Sequence, residues 1–462
     1  MLNRNGRSLD SYVVKGYGPV IAVVVLLLAT VVFVPSKSPR VDPRVQAASN
    51  ATESGAPADE LATASAGGAT PSGAIASPTA AGGGGTGIPV AKGVRPCADR
   101  QKQIPASPYS PPCVEFSGDN GGATTRGVTK DRILLTVRRT PPLDLGGASG
   151  EVQDDQADVE RTQRAFVEFF NKKLQLYGRQ VELRYFDGKG DATAETLGGG
   201  QEGANADAIT VAQEIQAFGE INGGTPPYAD ALVRQKVMAF GPIHMSREWY
   251  DARRPYSWAV LVDCTVLTES TVNYMANRLL GKPAKFAGDA AYKKAERKFG
   301  LIVPENPWYQ ECANRSQAIM RQKGFDFTKR INYPLDINQA SQIAANMVAQ
   351  MKDAGVTTFL CWCDPIVPIF VTTQATQQDY WPEWLISGTV LTDTDALGQL
   401  YDQDQWGHAF GHSFLNDFAG SDNEAYRAYK SVRTDEPANN YRLLYYPILQ
   451  AFLGLQLAGP KL

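Results

Sequence analysis

The sequence predicts an α/β protein of two lobes, each a parallel sheet covered by helices. Short β-branched runs alternate with helical apolar periodicity from about residue 133 onward, the pattern of repeated β-α units. The alternation falls into two series that meet near Asp263–Thr265. The chain has 462 residues, of which 43% are hydrophobic. That is enough for packed cores and too long for one core, which rarely grows past about 250–300 residues. With 45 Lys+Arg against 48 Asp+Glu the net charge is −3. This balance excludes the basic excess of a general nucleic-acid binder.

The N-terminal elements point to export. Gly16–Val34 carries no charge and follows Arg4, Arg7 and Lys15. In a helix it spans about 28 Å, close to the hydrocarbon thickness of a bilayer. Residues 1–34 are therefore expected to form a signal-anchor, a transmembrane segment left uncleaved, with a cleaved signal as the alternative. Residues 35–95 are rich in Ala, Gly, Ser, Thr and Pro and read as a disordered tether with an end-to-end distance of about 40–45 Å. Residues 96–131 form an N-terminal extension. In it Cys97 and Cys113 bracket a Pro-rich stretch, and an oxidising compartment predicts a local disulfide between them. The pairing of Cys264, Cys312, Cys361 and Cys363 is open, and a Cys361–Cys363 bond demands an unusually tight loop.

Lobe 1 is expected over 132–262. Ile133–Val137 is a β-branched run. Val159, Phe166, Phe169 and Phe170 recur at helical spacing up to Gly178, and Val181, Leu183 and Tyr185 then alternate with Glu182 and Arg184 as a half-buried strand does. A helix around Ala208–Ala217, a strand near Phe218–Ile221, a helix from Pro226 and the strand Val237–Gly241 complete it. Lobe 2 is expected over 266–405. Its helices are Val266–Leu280, Trp308–Lys323, Gln339–Ala354 and one between the last two strands, and its strands are Phe299–Val303, one near Arg330–Tyr333, Val356–Cys361 and Trp384–Ser387. Residues 406–462 return to lobe 1.

Three strand ends carry a capping-type residue followed by Pro: Thr225-Pro226 after Gly223-Gly224, Asn306-Pro307, and Asp364-Pro365 after Cys361-Trp362-Cys363. This is a helix-start signal. A first helical turn, with its free N–H groups, suits a carboxylate, and Gly224 allows close backbone approach. Trp308, Tyr309 and Trp362 stand at the same strand ends, able to enclose a small molecule. Gly241-Pro242-Ile243-His244-Met245-Ser246 marks a fourth. Catalytic signals are poor. There is no phosphate-binding GxxxxGK[ST] loop and no GxSxG elbow. His408 and His412 stand four apart, but Gly407 and Gly411 argue against the helix that would bring them onto one metal. Asp187–Asp191 lacks the oxygen ligands of a calcium loop and reads as a turn. No cofactor is expected.

The residues resemble a family, the type 1 periplasmic binding proteins, and within it the branched-chain amino-acid (Leu/Ile/Val)-binding receptors of ABC transporters. The likeness covers about 125–462. It rests on Gly127–Asp131 leading into Ile133–Val137, Gly223–Thr225 followed by Val237–Pro242, Leu301–Tyr309, Gly355–Asp364, and Tyr445–Pro460. The stretch from Cys113 to Gly122 looks like an actinobacterial subgroup. The resemblance implies two Rossmann-like lobes joined by a hinge, with solute held between them and no catalysis. It implies an ABC permease and a separate ATPase subunit as partners, and ligand contacts from Gly224, Thr225, Met245, Ser246, Trp308 or Tyr309, and Thr389; Trp362 and Asp364 join them from their strand-end position. In the amino-acid binders of this group an acid near Thr389 holds the amine. Here Met245 intrudes and the nearest acids are Asp393 and Asp395, which argues against an α-amino acid itself; an amino-acid-like, amide or organic-acid ligand is expected, with an apolar solute still open. The alternatives are a sensor or cell-envelope interaction module on the same fold, and an enzyme using His408 and His412. Family members continue past the Leu457–Pro460 helix end, so the chain is expected to be truncated.

Overall fold

The computed structural model describes residues 101–141, 154–221, 224–242, 245–336, 339–389, 392–415 and 423–462. The apolar segment 16–34, the linker 35–95 and Cys97 lie outside the described residues. Among the described residues no helix is long and apolar enough to cross a membrane.

The chain forms strands β1 (Arg132–Arg139), β2 (Gln180–Asp187), β3 (Gly219–Ile221), β4 (Met238–Phe240), β5 (Ser257–Trp258), β6 (Phe299–Pro304), β7 (Lys329–Tyr333), β8 (Thr358–Cys361), β9 (Glu383–Ile386) and β10 (Ala409–Gly411). The helices are α1 (Gln156–Lys173), α2 (Ala192–Thr196), α3 (Gln201–Ile209), α4 (Pro226–Arg234), α5 (Arg247–Asp251), α6 (Cys264–Tyr274), α7 (Pro307–Gln322), α8 (Ala340–Asp353), α9 (Val367–Gln377), α10 (Asp395–Gly398), α11 (Gln403–Trp406), α12 (Glu424–Lys430) and α13 (Tyr441–Ala458).

The strands build two parallel sheets in the orders β2-β1-β3-β4-β5 and β7-β6-β8-β9-β10. Counted within its own lobe, each sheet has the same doubly wound order, with a topological switch point between its first and third strands. Both faces of each sheet are covered, and strand alternation divides the cores. In β1, Ile133, Leu135 and Val137 pack with Phe166 and Phe170 of α1 and Tyr445, Ile448 and Phe452 of α13. Leu134 faces the other way, onto Ala208 of α3 and Tyr228 and Leu232 of α4. In β6, Phe299, Leu301 and Val303 meet α6 and α7, while Ile302 meets Met347 of α8 and Val371 of α9. This two-sided burial explains why β1 and β6 read as continuous apolar runs, whereas β2, at the edge of its sheet, alternates.

The second sheet runs on to Gly411 through β10, a three-residue strand with no strong periodicity of its own, so its chain extends beyond residue 405. His408 and His412 flank this strand rather than a helix face. His412 Nε2 lies 3.0 Å from the Thr271 hydroxyl, and burial lowers its pKa. No group of three or more metal-ligating side chains occurs among the described residues. Asp187 ends β2 and the chain bends at Lys189, where the Lys189 and Gly190 amides donate to the Asp207 carboxylate at 2.7 and 2.9 Å.

Two disulfides lie in the second lobe. Cys264–Cys312 ties the start of α6 to α7, and Cys361–Cys363 closes over a single residue. The tight loop is reached because Cys361 and Cys363 project to the same face at the end of β8, with Cα atoms 5.1 Å apart. Cys113 is also disulfide-bonded.

Candidate functional site

The two switch points put the loops after β1 and β3, and those after β6 and β8, at the carboxyl ends of their sheets. In the first lobe a polar cluster is built there. The alternation of β1 places Thr136 and Arg138 on the α3–α4 face. The Arg138 guanidinium grips Glu195 of α2 with both nitrogens at 2.8 Å and reaches Asp207 of α3 at 3.1 Å. It stacks over the Tyr228 ring of α4, 3.7 Å from its centroid. The Thr225 hydroxyl donates to Glu195, so the loop leading into α4 is tied through one carboxylate to β1.

Glu220 of β3 completes the cluster, accepting from the Thr136 hydroxyl and, at 2.6 Å, from the Arg138 amide. It is fully buried, and desolvation pushes its carboxyl from 4.5 up to about 7. The folded chain thus holds this proton more tightly than the unfolded one. The stabilising contribution is full below about 4.5 and is lost as pH rises through about 7. Urea midpoints measured between pH 4 and 8 should fall over that window. Glu220→Gln should flatten the slope, and a variant with the parent's slope would refute the assignment.

The second lobe presents α7 to this rim. Asn306, at the helix start, does not cap its own helix. Its side-chain amide donates to the Leu197 carbonyl of the first lobe at 3.3 Å. Gly198, at φ +93°, allows the approach, since a Cβ there would collide with the Asn306 amide and meet the Trp308 ring. One turn along α7, Glu311 accepts from the Ser246 hydroxyl at 2.7 Å, and Arg315 pairs with Glu248 at 2.9 Å. Ser246 also caps α5 by accepting from the Trp249 amide at 2.9 Å.

Ser246 and Trp308 thus lie on elements that meet across the two lobes, with Met245 buried beside Ser246, while Thr225, preceded by Gly224, is tied within the first lobe to Glu195 of α2. Residues 222–223 and 243–244 of the same loops lie outside the described residues. Four other sequence-predicted residues are interior to the second lobe. Tyr309 and Trp362 pack in the core between the sheet and α6–α7. Asp364, fully buried, accepts from the Ile366 and Val367 amides at 2.8 and 3.0 Å and from the Tyr333 hydroxyl at 2.6 Å. Burial pushes its carboxyl above the ordinary range. Thr389 is buried, its hydroxyl 2.9 Å from that of Ser387. None of the three cap-and-Pro residues caps its helix with its side chain: the helix after Asp364-Pro365 starts only at Val367, and Asp364 instead holds the turn that leads into it.

Arg138, Glu195, Asp207, Glu220 and Glu311 were not singled out from sequence. A signal existed for two of them. Glu220 interrupts a short apolar strand, and Arg138 ends one where a switch-point loop begins.

The family model described as periplasmic binding protein matches residues 145–455. No curated protein matches the chain. Among solved structures, the solute-binding protein of an ABC transporter from R. palustris, in complex with 4-hydroxybenzoate, shares 12% identity. It aligns at TM-score 0.48 over 71% of this chain and 82% of that one. An extracellular ligand-binding receptor from Verminephrobacter eiseniae shares 12% at TM-score 0.49, over 70% and 84%. An ABC transporter substrate-binding protein from Desulfitobacterium hafniense, complexed with Leu, shares 13% at TM-score 0.46, over 72% and 86%. With two parallel-sheet lobes and a family match spanning most of both, the chain belongs to the periplasmic binding protein family.

Proposed function

We propose that this receptor works outside the cell membrane, held there by the 16–34 segment and its linker, and closes its lobes on a small solute bearing a carboxylate or amide. It hands that solute to an ABC permease served by a separate ATPase. The observation that carries this reading is α7, whose first three turns lie against the Leu197, Ser246 and Glu248 rims of the first lobe. The side chain at the start of α7 reaches across to the other lobe instead of capping its own helix. In this reading the positive end of the α7 dipole serves an acceptor group on the solute. Half-buried Trp308 supplies an apolar wall beside it. The tether keeps the receptor near its permease and raises its effective concentration there.

The test is mass spectrometry of small molecules that co-purify with the 96–462 portion, followed by calorimetry with the molecule found. Trp308→Ala should weaken binding about tenfold or more, the effect of losing one well-placed aromatic contact, with the melting temperature little changed. Small-angle scattering should show compaction on binding. Unchanged affinity would remove Trp308 from the site, and an unchanged radius of gyration would remove lobe closure.

A further inference from the structure

We propose that Cys361–Cys363 is an exchange-active redox site, opened and reclosed by thiols around the protein, while Cys264–Cys312 is structural. Four observations lead there. The 361–363 bond closes over one residue, against a sequence separation of 48 for 264–312. A cross-link restrains the unfolded chain according to the loop it closes, so the short one adds little that would resist reduction. Access differs too. Cys361 is half-buried, whereas Cys264 and Cys312 are both buried. The pair also stands where β8 ends, and its Cα separation of 5.1 Å, shorter than the about 6.6 Å of residues two apart in an extended strand, shows that the chain turns at Trp362. Finally, Cys361 is among the residues that line a cavity of about 10 Å³ with Phe359, Pro368 and Trp384, room for about one water beside the pair.

The difference in burial within the pair sets the direction of attack. Cys363 is wholly shielded, so an incoming thiolate reaches the Cys361 Sγ. A sulfur–sulfur bond forms there, the Cys361–Cys363 bond breaks, and the electron pair leaves on the Cys363 Sγ, which takes up a proton. A second thiolate then attacks the sulfur that the first thiol contributed to the mixed disulfide, releasing the Cys361 thiolate, which is protonated in turn. Two external thiols are oxidised to their disulfide, and the protein disulfide gains two electrons and two protons. The proposal does not depend on which solute binds.

The full chain, still folded, is equilibrated in glutathione buffers of stepped ratio, quenched in acid, alkylated and read peptide by peptide by mass spectrometry. Cys361 and Cys363 should label together at a [GSH]²/[GSSG] ratio at least tenfold lower than Cys264 and Cys312 require, a gap of about 30 mV. In Cys363→Ser, oxidised glutathione should add to Cys361; in Cys361→Ser, Cys363 should stay unmodified until denaturant is added. Release of both pairs at one ratio, or labelling of 361 and 363 only after unfolding, would overturn the assignment. Ready addition to Cys363 would overturn the direction of attack. Should either variant fail to fold, the titration of the unaltered chain decides alone.

Discussion

Replacing Arg297 with Met is expected to lower the stability of the second lobe by about 3–5 kcal/mol, the usual cost of stripping one partner from a buried ion pair. The Arg297 and Glu383 side chains are 2% and 0% exposed. Glu383 begins β9, and Arg297 leads into β6, so the pair joins two strands separated by β8. Its carboxylate also accepts from the Thr358 hydroxyl at 2.7 Å and the Phe286 amide at 3.2 Å. Those two neutral donors remain in the variant, but the charge would have no counterion and no access to water. Urea unfolding followed by tryptophan fluorescence should show an earlier transition, since Trp384 adjoins the site. Arg297→Met with Glu383→Leu should recover most of the loss, because an apolar pair of similar volume removes the charge together with its desolvation cost. A single variant as stable as the parent would show that the pair contributes nothing net.

Arg138→Met is expected to have a comparable effect on the first lobe and a larger one on solute binding. Glu195 and Asp207 side chains are 0% and 2% exposed, and Arg138 is the cation between them. Its loss would bring two carboxylates into unrelieved repulsion beneath the rim, at a cost of about 3–5 kcal/mol. Glu195 also holds the Thr225 hydroxyl and belongs to the short helix α2, which leads into the Leu197 contact with Asn306. Once α2 shifts, both first-lobe contacts with the proposed site move with it. Arg138→Lys should not rescue, since an ammonium cannot make the two parallel bonds that the guanidinium makes to Glu195. Adding Glu195→Gln to Arg138→Met should restore much of the melting temperature while solute affinity stays at least about tenfold weak. Parent-like affinity in the single variant would separate this cluster from binding.

The large elements were legible from sequence. Helices such as Pro307–Gln322 and Ala340–Asp353 and strands such as Phe299–Pro304 lie within a residue or two of where periodicity and punctuation place them, because burial against a sheet leaves its period in the chain. The short strands β5 and β10 were not. Two or three residues carry no period, and such strands exist because a neighbouring strand offers an edge to pair with. Asp364, Thr225 and Asn306 carry the same signal, yet Asp364 holds a turn ahead of a helix that starts at Val367, and Thr225 and Asn306 use their side chains elsewhere. A cap is one option among several for a short polar side chain, and what stands opposite decides.

The sequence alone determined the α/β alternation, the division into two lobes near Asp263 and the helix starts that line the carboxyl ends of the strands, since all of these follow from local propensity and the spacing of apolar residues. The tertiary structure alone decided the Arg138–Glu195–Asp207–Glu220 cluster, the α7 contacts with Leu197 and Ser246, and the burial of Tyr309 and Trp362 in the second-lobe core. Those depend on which faces two distant segments turn to each other, and a charged or aromatic side chain looks the same in the chain whether it will line a cleft, balance a buried partner or fill a core.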